Sequence, residues 1–306
     1  MGLKQRILDK RNIYAAIYGM ESFVFDKGLL DTEKTVQTIS GDTIAANDLE
    51  LYYRLSDKYN IPLIEQVVEI CEKRLTSILS NKEELFDIAV YFRLKNYEDG
   101  KLSYRPLHTA RLTDMICMVC ILNALMFDDD LGNGTRRLSD LAKLIPHNFF
   151  GNIPSTDVQY LFHKWQNKYK EYSENVINHC REYQQNHTYL TEVCLDIKNF
   201  FPSISPQWLY SYIVRKIQLA HQDDLDELKM GVAKLLYFNI QASNMAGWEA
   251  QYYPEGTAIE LRDFYMNCGI PQGLPQSYFF GNLCMIEIKN TLMKDDYFKW
   301  GCIFLC

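Results

Sequence analysis

Apolar residues recur every three or four positions through the first quarter of the chain. Leu51, Tyr52, Leu55 and Tyr59, then Leu63, Ile64, Val67, Val68, Ile70, Cys71 and Leu75, mark two helix faces. Pro62 suits the first turn of the second helix. Residues 1–85 therefore read as helices, with a loop at Gly41-Asp42. From residue 88 the texture changes. Ile88–Leu94 is rich in strand formers, Asn96–Gly100 carries an Asp-Gly hairpin signal, and Lys101–Pro106 reads as the returning strand. The apolar run Met115–Met126 predicts a helix over 111–126. Residues 128–155 are looser, and a charged, Tyr-rich helix is expected over 156–186. Tyr189–Asp196 reads as a strand that ends in a carboxylate. Helices follow over 206–218 and 223–238, then a mixed, hairpin-like stretch over 247–268. Gly269–Gly273 is a glycine-rich turn that runs into an apolar helix over 276–292. Trp300–Cys306 reads as the opening of a buried strand.

The length of 306 residues predicts about two domains and allows a core without disulfide or metal staples. Hydrophobic residues at 47% and charged residues at 23% exclude wholesale disorder. Glycine and proline, at 15 and 9, are scarce enough to favour helices. A net charge of −7 argues against a nucleic-acid coat but leaves room for a local basic groove. The nine cysteines are odd in number and most sit among apolar neighbours, as reduced cytoplasmic thiols do. Cys117-Met-Val-Cys120 has CxxC spacing, but it lies inside the apolar helix, where packing is favoured over metal binding. The N-terminus is charged, unlike a signal peptide, and no run of about 18 apolar residues predicts a membrane span. The expected location is the cytoplasm, with no membrane partner.

Candidate chemistry begins at Asp196. A carboxylate at the end of an apolar strand, followed by Ile197-Lys-Asn-Phe-Phe-Pro-Ser-Ile204, must be paired, solvated or metal-bound. Mg²⁺ takes such oxygens, and phosphoryl transfer uses a metal clamp. A strand-end Asp that faces water is the competing reading. The second element is Gly269-Ile-Pro-Gln-Gly273-Leu-Pro-Gln-Ser277. Its glycines let a backbone approach a nucleotide closely, and Gln offers both donor and acceptor. An ordinary Pro/Gly turn is the alternative there.

In this order the segments resemble the reverse transcriptase family. LDIKNFFPSI is similar to its motif A, and GIPQGLPQS followed by Phe280–Glu287 to its motif B. YRPLHTARLTDMICMVCILNALM resembles its fingers segment. The resemblance covers residues 88–306 and implies an α+β fold. Its parts would be a helical N-terminal extension (1–85), fingers (86–186) and an incomplete palm with motifs A and B only (187–306). It implies an RNA-directed DNA polymerase that adds dNTPs to a primer 3′-OH by two-metal phosphoryl transfer. Asp196 and the Ile197 carbonyl would hold Mg²⁺. Phe201 would discriminate against the ribose 2′-OH, a core Phe being the alternative. Gln272 and Gly273 would line the nucleotide pocket, and Arg105 would contact the triphosphate. Lys95 and Lys101 would assist from the same hairpin, unless that face is merely solvated.

The family's third block, an aromatic-x-Asp-Asp hairpin, does not follow motif B before Cys306. The expectation is a fragment, inactive alone, whose remaining metal carboxylates lie beyond residue 306. Phe127-Asp128-Asp129-Asp130 precedes motif A and is read as a solvated helix terminus. Asp295-Asp296 is read as a polar turn. Lys289 stands where many family members carry Asp. The helical extension is similar to that of bacterial abortive-infection and defence-associated reverse transcriptases. This implies antiphage defence, an RNA template or noncoding RNA, a DNA product and a homo-oligomer. The competing class is a non-catalytic nucleic-acid-binding or scaffolding subunit, to which the acidic charge lends weight. An RNA-templated RNA polymerase is a weaker option, disfavoured by Phe201.

Overall fold

The computed structural model describes residues 2–19, 34–98, 101–128, 135–186, 196–197, 199–218, 225–241 and 269–294. It mixes helices with small sheets. In order, α1 spans Leu3–Leu8, α2 Lys10–Gly19, β1 Val36–Gln37, β2 Thr43–Ala45, α3 Asp48–Ser56 and α4 Ile61–Ser80. The hairpin strands β3 and β4 span Phe86–Glu98 and Lys101–Ala110, and α5 spans Leu112–Met126. Then come β5 (Phe127–Asp128), β6 (Arg137–Leu138), α6 (Trp165–Asn186), α7 (Phe200–Ser203), α8 (Pro206–Gln218), α9 (Leu225–Leu236), β7 (Phe238–Gln241) and α10 (Pro275–Leu292).

The centre of the core is α5. Apart from Thr113, every one of its residues is buried, which a helix apolar on all sides requires. Helices α1, α2, α4, α9 and α10 pack around it. The three expected segments thus meet on one helix and share one hydrophobic core. Cys117 and Cys120 are fully buried in it, and burial pushes both thiols well above their ordinary pKa. They pack as small hydrophobes.

Ion pairs and caps fix the ends of these helices. Asp48 is completely buried, accepts the Leu112 N–H at 3.0 Å and pairs with Arg111 at 2.9 Å, so α3 caps the central helix. Lys234 on α9 buries its ammonium against the carbonyls just past α4, donating to Asn81 at 2.8 Å and Lys82 at 2.9 Å and also to Glu84. Beside them, Arg74 bridges Asp114 at 2.9 Å and Glu84.

The main sheet runs β4-β3-β7, with β3 antiparallel to β4 and parallel to β7. The expected hairpin is present and longer than its apolar core suggests, while its tip at Asp99-Gly100 lies outside the described residues. Three expectations are corrected. Residues 36–45 form a two-stranded ribbon rather than helix, turning at Gly41 with φ +95°. The helix expected from 156 starts at Trp165, because the preceding residues make irregular turns around Arg136. Phe238 leaves its helix to begin β7, where it pairs with Phe86. The strand expected over 189–196, apart from Asp196 itself, the stretch 247–268 and the strand at 300–306 lie outside the described residues. Among the described residues, no helix is long and apolar enough to cross a membrane.

Candidate functional site

Asp196 and Ile197 enter the site as exposed residues, Ile197 being 38% exposed. Among the described residues no side chain pairs with the Asp196 carboxylate. Asn199 then turns the chain through φ +55°, a left-handed conformation that Asn tolerates. The single turn α7 follows, closed by Ser203 N–H donating to the Asn199 carbonyl at 3.0 Å.

The glycine-rich bend is joined by backbone to this turn. Ile270 N–H donates to the Phe201 carbonyl at 3.0 Å. Gly269 has φ +78°, and a Cβ there would stand 2.3 Å from the Pro202 Cα and 2.4 Å from the Phe201 oxygen. Only glycine fits. At its other end the bend is joined to the hairpin. His108 N–H on β4 donates to the Gln272 carbonyl at 2.7 Å. Gly273 has φ +111°, and a Cβ there would stand 2.8 Å from the His108 oxygen. Pro275 then opens α10 in its first turn.

Aromatic rings fill the angle between these backbones. Phe201 is half-buried and meets Phe200 at 5.2 Å and Tyr278 at 5.7 Å, both edge-on. Tyr278 in turn meets Phe162 at 6.4 Å. Gly281 on α10 leaves room for the rings of Phe200 and Phe201, which a Cβ would approach to 3.2 and 3.4 Å.

The hairpin brings cations toward the same place. Arg105 is exposed, and its partner across the ladder is Arg93, also exposed. Strand alternation puts both on the face that carries Tyr91 and Leu107. Leu107 borders Gly273, and the Tyr91 phenol is held above its ordinary pKa by burial and by the nearby Tyr278. The bend lies along the edge of β4, where Leu107, on the arginine face, and His108, on the opposite face, both meet it. Like charges directly opposite each other disfavour the bare hairpin and favour an anion between them. Arg93 escaped the sequence reading, although hairpin register plus alternation would have found it. Lys95 is exposed on the same strand.

A carboxylate and a carbonyl are the donor types Mg²⁺ takes, so Asp196 and Ile197 fit that ion chemically. Among the described residues no group of three His, Cys, Asp or Glu gathers around any point. Of the acidic decoys, Asp128 lies in β5 and pairs with Arg137 at 3.7 Å. Lys289 donates to Asn148 at 3.0 Å, tying α10 to the loop before α6. The structure thus joins the segments of Phe201, Gln272 and Gly273 through backbone bonds and sets Arg105 on the hairpin strand bonded to them. Asp196 lies five residues before Phe201 at an exposed position. No protein-family model matches the chain, and no curated protein matches it.

Proposed function

We propose that the chain forms the fingers and part of the palm of a right-hand polymerase acting as an RNA-directed DNA polymerase in antiphage defence. One observation carries the reading. Three segments far apart in sequence, at 105–108, 199–202 and 269–273, meet through Ile270 N–H to Phe201 O and His108 N–H to Gln272 O. These are the segments that resemble fingers, motif A and motif B.

In this reading the primer 3′-OH attacks the dNTP α-phosphorus, and the bond to the departing pyrophosphate breaks. Arg105, with Arg93 opposite, neutralises the triphosphate. Gln272 and Gly273 shape the pocket wall, and the half-buried Phe201 ring occupies the space a 2′-OH would need. Asp196 and the Ile197 carbonyl would hold Mg²⁺, which supplies charge neutralisation at the attacking and leaving oxygens. An RNA template, the DNA product and further copies of the chain are the partners this reading brings with it.

Primer extension with dNTPs on an RNA template by the full-length protein tests it. Asp196→Ala is expected to lower the rate by about a thousandfold or more, the equivalent of several kcal/mol of lost metal stabilisation. Extension that survives the change overturns the proposal. The net charge of −7 favours a second reading, a nucleic-acid-binding or scaffolding subunit without catalysis. In that case RNA is retained while dNTP binding is absent and Asp196→Ala changes nothing.

A further inference from the structure

His108 touches the bend twice. Besides its backbone N–H, its ring Nδ1 lies 3.1 Å from the same Gln272 carbonyl. A carbonyl only accepts, so Nδ1 carries the proton and donates. The residue is 6% exposed, and water competes little for these bonds. Both lone pairs of one carbonyl are thereby taken up by one residue. The next residue, Gly273, lies too close to the His108 oxygen for any side chain.

The contact spans 164 residues of sequence. It joins two pieces that the proposed function uses together. Arg105 lies three residues before His108 on the same strand, about 10 Å away at the rise of a β-strand. Gln272 and Gly273 lie at the other end of the bond. Whatever holds the His108–Gln272 contact therefore fixes the spacing between the hairpin cations and the bend.

We infer that His108 is a positioning residue: its two donors latch the β4 strand to the Gln272 carbonyl and so set the gap in which a nucleoside triphosphate is held. The inference rests on the nucleotide-site reading but names a residue that does not itself touch the ligand. Removing the ring donor leaves one bond of the two and lets the bend shift relative to Arg105. Asn at the same position offers an amide nitrogen close to where Nδ1 sits and keeps the latch.

The test compares His108→Leu and His108→Asn in the full protein, with Mg²⁺–dATP binding and amide hydrogen exchange at residues 269–274 as readouts. The expected result is about tenfold weaker dATP binding and faster bend exchange for His108→Leu, with the thermal midpoint little changed. His108→Asn is expected to stay within about threefold of the parent in binding and to keep its exchange protection. Equal binding by His108→Leu and the parent overturns the inference. So does an equal loss in both variants, which marks a packing role instead. If the parent binds no dATP, the nucleotide reading falls, and the latch is judged by exchange alone. Protection lost in Leu and kept in Asn then supports it, and any other pattern overturns it.

Discussion

Gly269 and Gly273 show how much of the site depends on single atoms. Both have positive φ, and both meet backbone where a Cβ would be. Flexible side chains yield to a close neighbour, but the Pro202 Cα and the His108 carbonyl cannot move without moving α7 or β4. Gly269→Ala and Gly273→Ala are each expected to destabilise the fold by more than about 2 kcal/mol, through left-handed strain and displaced backbone together. A drop in the urea midpoint checks this, and an unchanged midpoint for either variant contradicts it. The glycines were visible in the sequence as a turn. What they approach was not, because Pro202 and His108 are remote in the chain and carry no local signature. Phe201 was legible only as an aromatic of two possible roles. Its half-burial among Phe200, Tyr278 and Gly281 comes from α10 packing, which periodicity cannot supply.

The elements that sequence reasoning placed well are those whose pattern was one-sided or extreme. The apolar run of α5, interrupted only by Asn123 between Met115 and Met126, predicted a buried helix, and strand formers beside an Asp-Gly turn predicted the hairpin. The ribbon β1–β2 escaped because strands of two and three residues are too short to show a period. The start of α6 was set too early because residues 156–164 carry no Gly or Pro to mark a break ahead of the charged, Tyr-rich helix. Their carbonyls instead serve the Arg136 guanidinium, which reaches Asp157 at 3.2 Å and Tyr160 at 2.8 Å. The cap on α5 is a comparable case. Arg111 precedes the helix and looks like a poor N-cap, and the carboxylate that does the capping arrives from Asp48 on another helix. Asp48→Ala leaves Arg111 without its buried partner and the Leu112 N–H without an acceptor. The expected loss is about 3 kcal/mol, read from denaturant unfolding. A change under about 0.5 kcal/mol, the scale of a surface substitution, contradicts the cap.

At the scale of the whole molecule, the buried ionisable groups set how stability responds to alkali. The Tyr212 phenol is pushed up to about 12, chiefly by burial and next by the Glu287 carboxylate, and Tyr91 is raised as well. In the unfolded chain both ionise near the ordinary tyrosine value of about 10. Above that pH the unfolded state sheds protons that the folded state keeps, so stability falls with rising pH. This contribution is fully present below pH 10 and is lost progressively toward pH 12 for Tyr212. Arg136 works in the opposite direction. Burial lowers its guanidinium pKa, which on its own favours the folded state as pH rises, although the guanidinium stays charged through its bonds to Asn123, Ser155, Asp157 and Tyr160. Tyr91 on β3 and Tyr212 on α8 are joined on the falling side by Tyr14, Tyr18, Tyr210 and Tyr237 and by the thiols of Cys117, Cys120 and Cys284, all raised, while Arg136 and Lys234 are lowered and oppose them. The net expectation is a thermal midpoint that declines as pH rises above 10, measured by circular dichroism. Tyr212→Phe removes one of these phenols and is expected to flatten that decline. A midpoint that stays level or rises between pH 10 and 12 contradicts this balance.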